Sequence, residues 1–224
     1  MIYLKRTDIV LFQGDSITHG GRGENQKDRN HVLGYGYQAL LSGRLAMENL
    51  DRGPAFFNRG VSGDKTSDLL ARWERDTLAL SPTVLSILVG VNNCLIPVGG
   101  ADRVFYKELC ALLEQTRDAL PEIALIVCEP FAFELSEYGS EEERSFIRRR
   151  IDLVRSCAAH AKIAADQYGA LFVPFWQTLE PYVKRCPADA VIWDGVHPTF
   201  IGHEIMARFW YDTVDSSGFF REGR

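Results

Sequence analysis

Ser16, Asp194 and His197 are the residues whose types and spacing could carry covalent chemistry. Ser16 lies in Val10-Leu11-Phe12-Gln13-Gly14-Asp15-Ser16-Ile17-Thr18, where an apolar run stops at a glycine and a serine follows two residues later. A serine so placed is a nucleophile if a base, an orienting carboxylate and oxyanion donors reach it. Asp194 and His197 have two residues between them in Trp193-Asp194-Gly195-Val196-His197-Pro198-Thr199. In a tight turn that spacing lets the carboxylate accept from one imidazole nitrogen while the other faces the serine, which fixes the tautomer and steadies the imidazolium. Pro198 pushes His197 away from helical dihedrals, so the base is expected in a loop ahead of the last helix. Neutral donors for an oxyanion are the N–H of Ser16, the N–H of Gly63 in Asn58-Arg59-Gly60-Val61-Ser62-Gly63-Asp64, and the side-chain amide of Asn92 in Gly90-Val91-Asn92-Asn93. The chemistry implied is nucleophilic attack by a serine on a carbonyl carbon, with the developing oxyanion held by neutral donors.

Each of these pieces needs a strand end to hold it. Residues 9–12 read as a buried parallel strand, and Gly14 lets the backbone turn sharply after it. Ser16 is thereby expected at the carboxyl edge of a sheet, where open α/β folds bind ligands. Residues 55–57, 84–89, 124–128 and 170–173 read as four further strands. The segments between them carry helical stripes: Tyr37, Leu40, Leu41 and Leu45; Leu69, Leu70, Trp73 and Leu80 behind an N-cap at Ser67; Tyr106, Leu109, Cys110, Leu113 and Leu120. Ser140 with Glu143 predicts a capping box, followed by Ile147, Ile151, Val154, Ala158 and Ala161 facing inward. A short helix is expected around residues 176–184, and a last one from about Thr199 with Ile201, Ile205, Phe209 and Trp210. Five parallel strands with helical crossovers predict a flavodoxin-like three-layer αβα sandwich. Gly63 then falls near a helix N-terminus, whose positive end favours an oxyanion.

Gly-Asp-Ser after the first strand, Val-Ser-Gly-Asp after the second, Gly-Val-Asn-Asn after the third and Asp-Gly-Val-His-Pro near the end resemble the four blocks of the SGNH (GDSL) hydrolase superfamily. Four blocks in order, each behind a predicted strand, are far more specific than any one of them. The resemblance runs from about residue 9 to about residue 210. It implies that Ser16 is the nucleophile, that Gly63 and Asn92 complete the oxyanion hole with Ser16, and that Asp194 and His197 finish a triad. The third block departs from the family's Gly-x-Asn-Asp: its last position is Asn93. The wording of the blocks, with Asn58-Arg59-Gly60-Val61-Ser62-Gly63 and Leu70-Ala71-Arg72-Trp73-Glu74-Arg75-Asp76, is most similar to intracellular carbohydrate esterases that deacetylate xylo-oligosaccharides. An acetylated carbohydrate is therefore the expected substrate, with a lysophospholipase or thioesterase as the alternative within the family.

The 224 residues are 46% hydrophobic and 25% charged, as expected of one α/β domain with its core at about residues 8–212 and an irregular tail at 213–224. A net charge of −5 offers no general attraction to nucleic acid or anionic membrane. The first residues lack a signal peptide's apolar core and no run approaches ~20 apolar residues, so a cytoplasmic setting is expected. The five cysteines are scattered and without C-x-x-C spacing, which predicts reduced thiols, with Cys110, Cys128 and Cys157 as small core residues. The histidines at 19, 31 and 203 fit no zinc spacing, and no cofactor or metal is expected.

Around the triad, His19, Tyr35 and Trp193 are pocket candidates, and Asp15 is expected to tie neighbouring loops by hydrogen bonds. His203 reads as a packing residue. Residues 18–34 are polar and hold four of the 19 glycines, which suits a mobile loop over the site. Residues 131–135 either wall the pocket or pack on its rim. Arg148, Arg149 and Arg150 beside three glutamates read as a solvated helical face. Phe219-Phe220 reads either as a docking element, for example for a second copy of the chain, or as part of a disordered tail. A different class of function, a non-catalytic flavodoxin-like protein binding phosphate at residues 14–23, leaves Asn92, Asp194 and His197 without a role.

Overall fold

The computed structural model describes residues 1–96, 98–135 and 140–220. Five strands form one parallel sheet: β1 (Ile9–Gly14), β2 (Ala55–Asn58), β3 (Val84–Leu88), β4 (Ala124–Cys128) and β5 (Leu171–Val173), in the order β2-β1-β3-β4-β5. β3 and β4 are buried at every position, so they read as unbroken apolar runs, the signature of strands covered on both faces. The strand order turns back at β1 and β3, and their carboxyl ends are level, with Gly14 opposite Leu88. Such a reversal opens a crevice at the strand ends.

Helices cover both faces. α1 (Ser16–His19) is a single turn; α2 (Tyr37–Glu48), α6 (Phe175–Arg185) and α7 (Phe200–Ser217) pack together in one layer. α3 (Thr66–Asp76), α4 (Ala101–Ala119) and α5 (Glu141–Gln167) pack together in the other. Phe12 meets Tyr37 edge-on and Trp210 obliquely, each at 6.1 Å between ring centroids, and the Trp210 indole donates to Ser86 Oγ at 3.1 Å. Beneath the opposite layer Trp73 is buried and donates to Thr116 Oγ1 at 3.0 Å. Both indoles thus add apolar area to the core without leaving a polar N–H unpaired.

Several helices are rotated or bounded differently from the sequence expectation. α2 starts at Tyr37 behind Gly36, and Leu40 stays exposed while Tyr37, Leu41 and Leu45 are buried. α3 is capped at Lys65, whose N–H Asp68 accepts, rather than at Ser67, and Leu80 belongs to a separate 3-10 turn at Leu78–Leu80. α4 buries Phe105, Leu109, Leu112, Leu113 and Thr116, with Tyr106, Cys110 and Leu120 only half-buried. In α7 the buried stripe is His203, Met206, Ala207, Trp210, Tyr211 and Val214, leaving Ile201 exposed. The Ser140 capping box at the start of α5 is present in both directions, at 3.0 and 3.2 Å.

The carboxyl-terminal region departs most. α7 continues to Ser217, and Phe219 and Phe220 pack on the chain's own core, where the Phe220 carbonyl accepts from Tyr3 N at 2.9 Å. The pair is therefore ordered against the chain's own core and half-buried there, not part of a disordered tail. Phe131, Ala132 and Phe133 are also core residues, so this segment packs beneath the rim. Among the described residues no helix is long and apolar enough to cross a membrane.

Candidate active site

The Ser16 side chain is delivered by a backbone constraint. Gly14 has φ +154°, and a Cβ there would lie 2.1 Å from the Leu88 carbonyl oxygen on β3. Only glycine lets β1 turn that close to its neighbour. Asp15 then caps α1, accepting from Ile17 N at 3.0 Å, and Ser16 is the first residue of that turn. From the far end of the chain, His197 brings Nε2 to 2.8 Å from Ser16 Oγ. Its Nδ1 is 2.6 Å from Asp194 Oδ2, while Asp194 Oδ1 accepts from Val196 N at 3.0 Å and His197 N at 2.7 Å. One carboxylate therefore folds its own turn and orients the ring. With Nδ1–H held by Asp194, Nε2 is left as the acceptor facing Ser16.

The electrostatics follow from these bonds. The Asp194 hydrogen bond raises the His197 pKa above the ordinary histidine value, and burial opposes it only in part. Burial alone would raise Asp194, but the donors at His197 and Val196 outweigh it and hold the carboxyl below its usual range. Asp15 goes the other way: burial outweighs its backbone donors and pushes its pKa up to about 7.

The loops after β2 and β3 are tied in series to the nucleophile turn. Val61 N donates to the Gly14 carbonyl at 3.0 Å, tying the loop after β2 to the nucleophile turn. Gly63, in that loop, has φ +88° and open space where a Cβ would sit. Asn92 begins a 3-10 turn after β3, and its Nδ2 donates to the Asp64 carbonyl at 3.1 Å. An amide nitrogen carries two protons, so this bond uses only one of them. A cleft of about 310 Å³ opens at the serine, lined by Ser16, His197, His19, Tyr35, Trp193 and His203, with Ser62 rather than Gly63 or Asn92 reaching it from these two loops. Tyr35 and Trp193 present large exposed ring faces. A larger hollow of about 630 Å³ beside Phe133, Arg155 and Lys184 includes neither Ser16 nor His197.

Residues 12–205 match the GDSL-like lipase/acylhydrolase family. The chain belongs to that family. It is 32% identical over 209 residues to an acetylxylan esterase of Geobacillus stearothermophilus, covering 89% of this chain and 90% of that one. Its fold superposes on a protein of Parabacteroides merdae described as a GDSL-like lipase, with TM-score 0.86, 33% identity and coverage of 96% and 98%. An acetyl-xylooligosaccharide esterase from Geobacillus, solved as a mutant, superposes with TM-score 0.81 at 28% identity over 95% and 96% of the two chains. As a GDSL acylhydrolase, the chain is a carboxylic ester hydrolase.

For this GDSL hydrolase the structure gathers His19, Tyr35 and Trp193 at one cleft with Ser16 and His197. Asp15 differs from expectation: the hydrogen bond its carboxylate makes among the described residues stays within its own turn. The ties between loops come instead from Asn58, which sequence reading left without a role. Its Nδ2 lies 2.8–3.2 Å from the carbonyls of Thr18, His19 and Leu33, and its Oδ1 accepts from Gly60 N at 2.9 Å. With Tyr35 N bonded to the Gly20 carbonyl and Arg22 Nε to the Gly60 carbonyl, the segment expected as a mobile cover is pinned at several points. Its place at the end of β2, opening residues 58–63, was the signal for Asn58.

Two histidine and cysteine readings also gain detail. His203 accepts from Tyr37 N at 3.1 Å, and burial lowers its pKa to about 4, so it is neutral. Cys157 is a core residue as expected, buried against Cys94 with 3.4 Å between sulfurs. Arg150 leaves the solvated face assigned to it. Its Nε is buried without a hydrogen-bond partner among the described residues, and its charge opposes protonation of His197. Arg148 keeps the surface role, pairing with Glu134 and Glu141. Among the described residues no cluster of three or more His, Cys, Asp or Glu could hold a metal ion.

Proposed function

We propose that this chain is a serine esterase of short acyl groups that deacetylates acetylated sugars or xylo-oligosaccharides, with Ser16, His197 and Asp194 as its triad. The observation that carries the reading is the continuous hydrogen-bond path from Ser16 Oγ through His197 to Asp194, joining segments 181 residues apart. Ser16 Oγ attacks the ester carbonyl while His197 Nε2 takes its proton; Asp194 stabilises the imidazolium formed. The negative charge on the carbonyl oxygen is met by the N–H groups of Ser16 and Gly63 and the free N–H of Asn92. His197 then protonates the departing alcohol oxygen, leaving an acyl-enzyme. In the second half, His197 deprotonates water, which attacks the acyl carbon, and returns the proton to Ser16 as the acid leaves.

Support for the triad comes from the Geobacillus relative, of which a serine-to-alanine and an aspartate-to-alanine form are described as catalytic mutants. Support for a sugar ester comes from that relative's activity and from the exposed rings of Trp193 and Tyr35 beside the cleft, since a sugar's C–H face packs on an aromatic ring and its hydroxyls pair with polar groups. The test compares p-nitrophenyl acetate with p-nitrophenyl octanoate and then measures acetate release from acetylated xylobiose. Faster turnover of the acetyl ester and release from the sugar are expected. Preference for octanoate with no release from the sugar would overturn the substrate reading. Ser16→Ala is expected to lose nearly all turnover while keeping its melting temperature, and undiminished turnover would overturn the triad.

A further inference from the structure

The third block ends in Asn93 where the family pattern has an aspartate, and both ends of the Asn93 amide are bonded to one residue of the next helix. Asn93 Oδ1 accepts from Thr66 N at 3.3 Å, and Asn93 Nδ2 donates to Thr66 Oγ1 at 2.8 Å. That bond occupies the hydroxyl's acceptor side, so its single proton points elsewhere. It goes to Glu108 Oε2, 2.5 Å away on α4. Thr66 is fully buried and is the first residue of α3, where backbone N–H groups have no helical partner. Three side chains thus form one directed chain of bonds: amide to hydroxyl and hydroxyl to carboxylate, with the backbone N–H of Thr66 given to the amide oxygen.

These bonds converge on the oxyanion loop. Thr66 lies three residues beyond Gly63. Asn93 follows Asn92, whose side chain holds the Asp64 carbonyl at 3.1 Å. Arg72 grips the Asp64 carboxylate at 2.8 Å from the helix that Thr66 begins. The separation of the Gly63 N–H from the Asn92 amide is therefore set by how firmly Thr66 is held against Asn93 and α4. We propose that Asn93, Thr66 and Glu108 are a positioning clamp for the two outer oxyanion donors, with Glu108 as the terminal acceptor that position 93 no longer provides. The inference rests on the reading of Gly63 and Asn92 as those donors.

The arrangement has a sharp consequence. An aspartate at 93 has no proton to give Thr66, so its carboxylate and that of Glu108 would compete for one hydroxyl proton across a buried residue. Like charges sharing one donor are unfavourable, and the loop is the element free to yield. Asn93→Asp is expected to lower kcat for p-nitrophenyl acetate by about tenfold or more with KM within about twofold, because displaced donors act on the transition state rather than on ground-state binding. Glu108→Gln alone is expected to cost about threefold or less, since its amide oxygen still accepts from Thr66. Combined with Asn93→Asp it should restore kcat to within about threefold of the parent, a coupling that independent sites do not show.

The four-variant cycle is measured beside Asn92→Ala, with a thermal melt for each protein. A double variant as slow as Asn93→Asp, or Asn93→Asp as fast as the parent, overturns the clamp. If Asn92→Ala loses on the order of 100-fold in the same assay, the oxyanion reading stands and the clamp alone has failed. If Asn92→Ala keeps the parental kcat, the oxyanion reading fails and the clamp with it. Should Asn93→Asp not fold, Thr66→Val and Thr66→Ser decide: the valine is expected to lower kcat about tenfold and the serine to hold it within about threefold. Equal rates for those two overturn the proposal.

Discussion

Residues 13–19 and residues 193–199 supply the two ends of one 2.8 Å hydrogen bond but are held in place by different means. The nucleophile turn is the continuation of a buried strand. Its path is dictated by the absence of a side chain at Gly14, by the Leu88 carbonyl pressed against it, and by Asn58 binding the carbonyls that follow. The histidine turn has one isolated bridge, Ile192 to Pro198, and half-buried side chains. It is held by Asp194, which binds two backbone N–H groups and the ring, and by the Gly195 carbonyl accepting from Phe133 N at 2.8 Å. Position is set by backbone sterics in the first and by one multiply bonded carboxylate in the second. The two aspartates record the difference, since full burial outweighs the backbone donors and raises Asp15, while the His197 ring and two backbone N–H groups hold the less buried Asp194 low.

Breaking the histidine turn is expected to have the largest effect. Asp194→Asn removes the charge that orients and stabilises His197, and kcat should fall on the order of 10⁴-fold. The pH profile sharpens this. His197 acts as a base only when neutral, and its pKa is raised, so kcat/KM in the parent should decline with falling pH from a point above the ordinary value of 6.5. In Asp194→Asn the residual activity should decline at a lower pH, because the hydrogen bond that raised the pKa is gone. A limb that does not move would detach Asp194 from His197.

Breaking the nucleophile turn should act on stability as well as on rate. Gly14→Ala places a methyl 2.1 Å from the Leu88 oxygen at a φ that alanine resists. A loss of more than about 1 kcal/mol is expected, read as a lower melting temperature by about 2–4 °C per kcal/mol in a chain of this size. Asp194→Asn, by contrast, should melt close to the parent relative to its loss of rate. Equal melting temperatures for Gly14→Ala and the parent would remove the steric account.

The last expected effect touches only the pH dependence of stability and concerns Asp15. Its folded-state pKa of about 7 lies above its ordinary value of 3.8, so between those values the folded protein binds more protons than the unfolded chain. Stability from this group is present at low pH and is lost as pH rises through that window. Asp15→Asn keeps an oxygen to cap Ile17 N and should flatten the decline in melting temperature between pH about 4 and about 7. An unchanged slope would assign the decline to other groups.

Much of the site was legible because its anchors are local. Ser16 follows a strand and a glycine, Asp194 and His197 share one turn, and Thr199 and Ser140 cap the helices they precede. Asn58, Arg150 and Glu108 were not legible in the same way. Arg150 sits among charges that describe a wet surface, yet its Nε is buried. Glu108 is 42 residues from its partner Thr66, and no local pattern links them.

By itself the sequence determined the number and direction of the strands, the turn that holds the serine, and the pairing of acid and imidazole. Parallel strands covered on both faces must be continuously apolar, and a turn's hydrogen bonds lie within a few residues of each other. Tertiary structure alone decided which face each helix buries, where Phe219 and Phe220 dock, and how Asn93 is held without a carboxylate of its own. Those outcomes depend on contacts between residues far apart in the chain, and such contacts exist only once the layers have packed.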